Sequence, residues 1–408
     1  MNIKKDTILS ACPYARRCGG CGIKQSVYAA SLRAKQQKLV RLLSRFGHLE
    51  KIIGAKEPTG YRNKAQAAFF RRGGETLSGI YQAHDKKVLA VERCLLQKEE
   101  ADSIINTVRA LCPSFKIKPY DIKNGTGHLR HVLVRHAEET GEVMVVLVTG
   151  AVELPSARSF TNELVRRHPE ITTVVHNINT TATVLFLGEE SRVLYGEGYI
   201  EDILLGLKFR ISPRSFYQIN HAQTEALYTK AAEFACIERG ERVLDAYCGT
   251  GTIGLCIARG AEELVGVECN ASAVEDAREN ARRNGASNAR FVCGDAGEFM
   301  RDAAEAGEHF DTVITDPPRA GCSREFLSSL VKLSPNKIVY ISCNPETLAR
   351  DLSYLTKNEY SVKRMVGVDM FPFTEHVESV ILLSRKDVHE RIKFDLNIEE
   401  LNRTSQPK

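Results

Sequence analysis

Five short apolar runs recur through the second half of the chain, and each stops at polar residues or glycine. They are ERVLDAYCGTGTIGL from Glu241, EELVGVE from Glu262, ARFVCGD from Ala289, FDTVITDPPR from Phe310 and NKIVYISCNP from Asn336. Helix-forming stretches separate them. Strands that read as continuous apolar runs are buried on both faces, and strands alternating with helices build a parallel sheet. The pattern predicts a doubly wound, mostly parallel α/β domain over 211–408. Ligands in such a sheet bind beyond the carboxyl ends of the strands, where the polar residues lie.

The rest of the chain has a different texture. At 408 residues it is too long for one core. Residues 22–46 show a broken apolar stripe (Val27, Leu32, Leu39, Leu42, Leu43, Phe46) beside Arg and Lys, which predicts a helix. From 58 to 95 the pattern alternates, and Arg71-Arg72-Gly73-Gly74-Glu75 reads as a hairpin turn. A second hairpin is predicted over 130–150, a helix over 156–168, a strand over 172–178 and further strands over 182–211. The division is then 1–50, a basic helical segment; 51–210, an α+β domain; and 211–408.

No run of 18 apolar residues exists, which excludes a spanning helix. Residues 1–72 carry 16 Lys and Arg against Asp6, Glu50 and Glu57, a net of +13 within a chain total of +5. Such asymmetry points to a polyanion partner, and nucleic acid is the expected one.

Asp245 closes the first of the five runs, and Gly249, Gly251 and Gly254 follow as G-x-G-x-x-G. That loop lets backbone approach a nucleotide, but several cofactor classes share it. Glu268, ending the second run, is spaced to bind both ribose hydroxyls. Asp316-Pro317-Pro318-Arg319 ends the fourth run as a stiff acidic loop, which favours adenosylmethionine over NAD. Cys343 ends the fifth, between a buried run and Asn344-Pro345. A thiolate there can attack carbon 6 of a pyrimidine, making carbon 5 nucleophilic enough to take a methyl group. A base must then remove the carbon 5 proton. Glu378 opens the final strand and suits that task, with Glu375 as rival and His376 placed to orient either.

Three further thiols, Cys12, Cys18 and Cys21, stand within ten residues. Leu9-Ser10-Ala11-Cys12 mimics a lipidation site, but the apolar stretch such a site needs is missing. With no export signal the expected compartment is the cytosol, where thiols stay reduced. Zinc, a radical cofactor and an iron–sulfur cluster all remain open on spacing alone.

The chain resembles the RNA uracil-5 methyltransferases, and within them the bacterial ribosomal RNA branch. FYQIN from Phe216, DAYCGTGTIGL, GVE, DPPRAG, SCNP and HVE carry the likeness across 211–385. It implies a class I, Rossmann-like S-adenosylmethionine-dependent methyltransferase domain, with Cys343 as nucleophile and Glu378 as general base. It implies cofactor contacts from Gln218, Tyr247, Glu268 and Asp316, and from Thr252 and Asp295. Cytosine-5 relatives place a Cys where Arg319 stands, so uracil is the expected base.

The family often carries a 4Fe-4S cluster held by C-x5-C-x2-C and one distant Cys, which implies Cys12, Cys18, Cys21 and Cys94. Four thiolates suit a cubane, whereas zinc usually takes two close C-x2-C pairs, and a radical site wants a shorter first gap. Many members begin with a small β-barrel RNA-binding module, the TRAM barrel. This chain starts almost at the cysteines, so that module is expected to be absent and the RNA grip to lie in the basic segment and the middle domain. The resulting expectation is a cytoplasmic, monomeric enzyme forming 5-methyluridine in 23S ribosomal RNA, with no membrane or DNA partner. The same chemistry on transfer RNA, a non-catalytic RNA-binding protein and an NAD-dependent reductase are the alternatives.

Overall fold

The computed structural model describes residues 12–15, 17–21, 27–82, 87–181 and 186–386. Helix α1 (Tyr28–Leu43) buries Tyr28, Ser31, Lys35, Leu39 and Leu43, one stripe at helical spacing. It ends in a single 3-10 turn, Ser44–Phe46. The helix is therefore shorter than the span predicted over 22–46, whose first five positions lie outside the described residues.

A first sheet follows. Strands β1 (Lys64–Arg72) and β2 (Glu75–Tyr81) are joined where the sequence predicts a turn, with φ of +60° at Gly73 and +89° at Gly74. Two successive positive φ values are what a tight hairpin demands and what glycine supplies. Strand β3 (Val88–Ala90) completes this edge. Helix α2 (Glu99–Leu111) is not anticipated by pattern reading, although Ala101, Ile104, Ile105, Val108 and Leu111 form a buried stripe behind an acidic first turn. The other elements are β4 (Leu129–His136), β5 (Val143–Thr149), α3 (Ala157–Arg167), β6 (Ile171–Ile178) and β7 (Glu190–Tyr195), in strand order β3-β2-β1-β4-β5-β6-β7. Alternate residues of β1 (Ala65, Ala67, Phe69) pack under α2 and α3. The other face places Leu133, Met144, Val146 and Val148 against a separate hairpin, β8 (Ile200–Leu204) and β9 (Leu207–Ile211).

The second sheet is built from α4 (His221–Ala235), β10 (Arg242–Ala246), α5 (Thr252–Ile257), β11 (Glu263–Glu268), α6 (Ala271–Arg283), β12 (Ala289–Cys293), α7 (Ala296–Glu305), β13 (Thr312–Thr315), α8 (Arg324–Leu333), β14 (Lys337–Ser342), α9 (Pro345–Lys357), β15 (Tyr360–Val368) and β16 (Glu378–Arg385). Its order is β12-β11-β10-β13-β14-β16-β15. The five predicted strands are parallel, and β16 lies antiparallel between β14 and β15. This is the doubly wound α/β domain expected from the sequence. Its order reverses direction between β10 and β13, which opens a crevice at their carboxyl ends.

One apolar cluster is continuous from the first sheet through β8, β9 and α4 to the second. Helix α1 also joins the second sheet: Leu39, Leu43, Leu49 and Ile52 cluster with Tyr340, Leu348, Leu352, Met365 and Ile381. Ile53 bridges to Val368 at the end of β15. Among the described residues no helix is long and apolar enough to cross a membrane.

Candidate active site

Strand register gathers the expected site residues along one edge. Ala246 of β10 pairs with Val267 of β11 and with Thr315 of β13. The next residues, Tyr247, Glu268 and Asp316, therefore emerge side by side. Between them runs the glycine loop, with φ of +54° at Gly249 and +79° at Gly251. Glu268 accepts from Gly249 N–H at 3.2 Å and from Asn270 N–H at 2.9 Å. Cys269 Sγ–H also donates to Glu268 Oε1 at 3.3 Å, which fixes the carboxylate at the strand end.

Asp245, which the sequence marks only as a strand end, latches this loop. It is wholly buried and accepts from Gly254 N–H at 2.9 Å. Burial pushes its carboxyl up to about 8. A Cβ on Gly254 would come within 2.7 Å of Asp245 Oδ2, which explains the third glycine. Tyr247, at φ +65°, stacks on Phe326 with ring centroids 5.1 Å apart. Thr252 begins α5, its hydroxyl 3.3 Å from Tyr228 Oη. Asp295 caps α7 by accepting from Glu298 N–H at 3.0 Å. Gln218 lies before α4, its carbonyl accepting from Asn63 Nδ2 at 3.0 Å, which ties this lip of the crevice to the first sheet.

Register also brings the two reactive candidates together. Ser342 of β14 pairs with Ser379 of β16, so one step further out Cys343 faces Glu378. Cys343 is half-buried and Glu378 is 5% exposed, whereas Glu375 and His376 point to solvent. Burial, then the negative charge of Asp316, pushes the Glu378 carboxyl up to about 8, with Arg319 opposing the rise. Burial alone lifts Asp316 to about 7. The Cys343 thiol is pushed up to about 11 by burial and then by Glu378 and Asp316, again against Arg319. The resting sulfur therefore keeps its proton, contrary to the thiolate a free nucleophile would prefer. Arg319 is exposed and reaches His376 Nδ1 with Nη2 at 3.2 Å.

The N-terminal cysteines share a second cavity. Cys12, Cys18, Cys21 and Cys94 all line a cavity of about 370 Å3 whose other walls include Arg62, Lys64 and Arg93. Burial, and then neighbouring Cys94 and Cys18, push the Cys21 thiol up to about 12. Among the described residues, however, no group of three or more His, Cys, Asp or Glu side chains is arranged to hold a metal ion. The four expected ligands share one cavity but do not converge on one point.

Comparison with known proteins adds an independent line. A family model described as tRNA (Uracil-5-)-methyltransferase matches residues 184–386. An uncharacterised RNA methyltransferase from Halalkalibacterium halodurans is 41% identical over 94% of this chain and 84% of its own length. One from Listeria monocytogenes is 37% identical over 93% of this chain and 85% of its own. The crystal structure of Pyrococcus abyssi tRNA (uracil-54, C5)-methyltransferase in complex with S-adenosyl-L-homocysteine superposes with a TM-score of 0.75, at 29% identity, covering 92% of this chain and 88% of that one.

Proposed function

The chain belongs to the RNA uracil-5-methyltransferase family, and from that premise we propose that it methylates carbon 5 of a uridine in RNA, with Cys343 as covalent nucleophile and Glu378 as base. The observation that carries this reading is the β14–β16 register, which sets thiol and carboxyl face to face beside Asp316 and the glycine loop. S-adenosylmethionine, as second substrate, supplies the methyl group. Glu268, Tyr247, Asp316, Gln218, Thr252 and Asp295 are the residues we assign to it. The crevice suits such a nucleoside: the glycine loop turns at Gly249, where a Cβ would meet nothing within 4 Å, and the Glu268 carboxylate stands at the neighbouring strand end.

The chain's own groups then divide the work. Cys343 must give its proton to solvent as the ring arrives, and the Arg319 cation, which draws both acids down, favours the thiolate. Sulfur adds to carbon 6 and the carbon 5–carbon 6 pair moves toward oxygen 4; the resulting enolate attacks the methyl group through carbon 5, the sulfonium–methyl bond breaks and S-adenosylhomocysteine leaves as a neutral thioether. Glu378 then takes the carbon 5 proton. The C–H electron pair re-forms the double bond, the carbon 6–sulfur bond breaks, and Cys343 leaves as thiolate. Raised to about 8, Glu378 must first give its own proton to solvent, and the carboxylate so formed is a stronger base than an ordinary glutamate and better matched to this step.

We assign 23S ribosomal RNA as substrate and the cytosol as compartment, and Cys12, Cys18, Cys21 and Cys94 as holders of a 4Fe-4S cluster. Thiolates on a cubane each bind a different iron and so stand further apart than around one ion, which is compatible with a shared cavity. The surrounding Arg62, Lys64 and Arg93 suit the cluster's negative charge. A transfer RNA substrate is the second reading, favoured by the likeness to the Pyrococcus abyssi enzyme.

The test is RNA carrying 5-fluorouridine. Fluorine replaces the proton that Glu378 must remove, so methylation proceeds and the ring stays on sulfur. Wild-type protein should form a denaturation-resistant adduct, and Cys343→Ala should form none while still binding S-adenosylhomocysteine. Normal turnover by Cys343→Ala would overturn the mechanism. Mapping 5-methyluridine in ribosomal and transfer RNA from a strain lacking the protein decides between the two substrates.

A further inference from the structure

The β15–β16 loop, residues 369–377, delivers the chain to Glu378, and its backbone is held from outside. Gln223 Nε2 donates to Asp369 O at 3.1 Å and Asn220 Nδ2 to Met370 O at 3.0 Å. Lys35 Nζ donates to Phe371 O at 2.9 Å and Tyr61 Oη to Pro372 O at 3.1 Å. Four successive carbonyls are thus engaged by side chains from α1, the α4 terminus and the approach to β1. Beneath them the Lys35 ammonium pairs with the Asp369 carboxylate, which also accepts from Tyr28 Oη at 2.6 Å. Tyr28 Oη in turn accepts from Ala55 N–H at 2.7 Å. Lys35 is 3% exposed, and Asp369 and Tyr28 are wholly buried. Phe373, at φ +61°, closes the loop from within the cluster of Tyr28, Tyr61 and Leu96.

Stability alone does not account for this pair. Desolvation offsets most of the attraction in a buried ion pair, and apolar residues of similar volume often serve as well. What charge adds is direction: an ammonium with three donors pins one carboxylate and one carbonyl at once. Glu378 needs that direction. Its ladder partner is Val368 on β15, while pairing with β14 stops at Ser342 and Ser379. The ladder fixes Glu378 on the β15 side, and the anchored loop that enters it completes its aim.

We propose that Lys35 and Asp369 are positioning residues for proton removal: through the β15–β16 loop they hold Glu378 against the ring attached to Cys343. This rests on the reading of Glu378 as base. Sulfur addition and methyl transfer depend on β13, β14 and the glycine loop, so losing the pair should slow release and spare attachment.

The experiment uses full-length Lys35→Met, and the double variant Lys35→Met/Asp369→Asn, which leaves no buried charge unpaired and carries the test if the single variant does not fold. Competent sites are counted as adduct with 5-fluorouridine RNA. Per competent site, single turnover on ordinary uridine RNA is then followed as methylated RNA still bound to protein and methylated RNA released. Release should fall between about 10- and 100-fold, the range for a misplaced catalytic group, and bound methylated RNA should accumulate. A merely structural role would lower the number of competent sites and leave their release rate unchanged, which would overturn the proposal, as would equal slowing of attachment and release. Glu378→Gln run alongside separates the failures. Trapped adduct there with normal release in the Lys35 variants sinks this inference alone; no trapped adduct in Glu378→Gln sinks the base assignment and this inference with it.

Discussion

Replacing Glu378 by glutamine should make the protein more stable, and increasingly so as pH rises. The carboxyl is 5% exposed, accepts no hydrogen bond among the described residues and feels the charge of Asp316. It is pushed up to about 8 in the folded protein, against about 4.3 in an unfolded chain. Between those values the native state binds a proton that the unfolded state has released, so native stability declines as pH rises. Over the full interval the penalty is on the order of 5 kcal/mol. Glutamine cannot ionise and escapes it. The difference in melting temperature between Glu378→Gln and wild type should be near zero at about pH 4.5, grow through neutrality and level off beyond about pH 8. Thermal unfolding followed by fluorescence or calorimetry at constant ionic strength reads this without RNA or cofactor. A difference independent of pH, or a variant that loses ground as pH rises, would refute the reasoning: it would mean that the native carboxylate is ionised and well satisfied.

Protein purified without oxygen should be brown and contain about four irons per chain; Cys94→Ser should lose that iron and melt earlier, because metal binding is linked to folding. Stoichiometric zinc in place of iron would refute this. RNA affinity should fall by orders of magnitude between about 50 and 200 mM salt if the basic N-terminal segment grips phosphates; a flat salt titration would contradict it. Gly254→Ala should weaken S-adenosylhomocysteine binding about tenfold by calorimetry, since a Cβ 2.7 Å from Asp245 Oδ2 forces the loop latch to shift, an overpacking cost of about 1–3 kcal/mol. Unchanged affinity would remove Asp245 as the latch.

The amino-acid sequence by itself was enough for the five parallel strands of the second sheet, though not for β15. Each of those strands announces itself locally: an apolar run, then glycine, acid or cysteine where the strand leaves the sheet. The Gly73–Gly74 hairpin was legible for the same reason, since the turn's backbone demand falls on two adjacent residues. Helix α2 carried a readable stripe that pattern reading nonetheless passed over. Other features had no local signal. Cys343 and Glu378 stand far apart in the chain and meet only because β16 enters the sheet antiparallel, in a register set by pairing with both β14 and β15. The direction of their proton affinities follows from burial and from Asp316 and Arg319, neighbours in space. Lys35 reads in the sequence as one more cation on a basic helix. It becomes a buried partner of Asp369 only when α1 packs onto the second sheet. Periodicity and turn chemistry are local and survive in the linear string; register, desolvation and charge pairing depend on what the folded chain brings alongside.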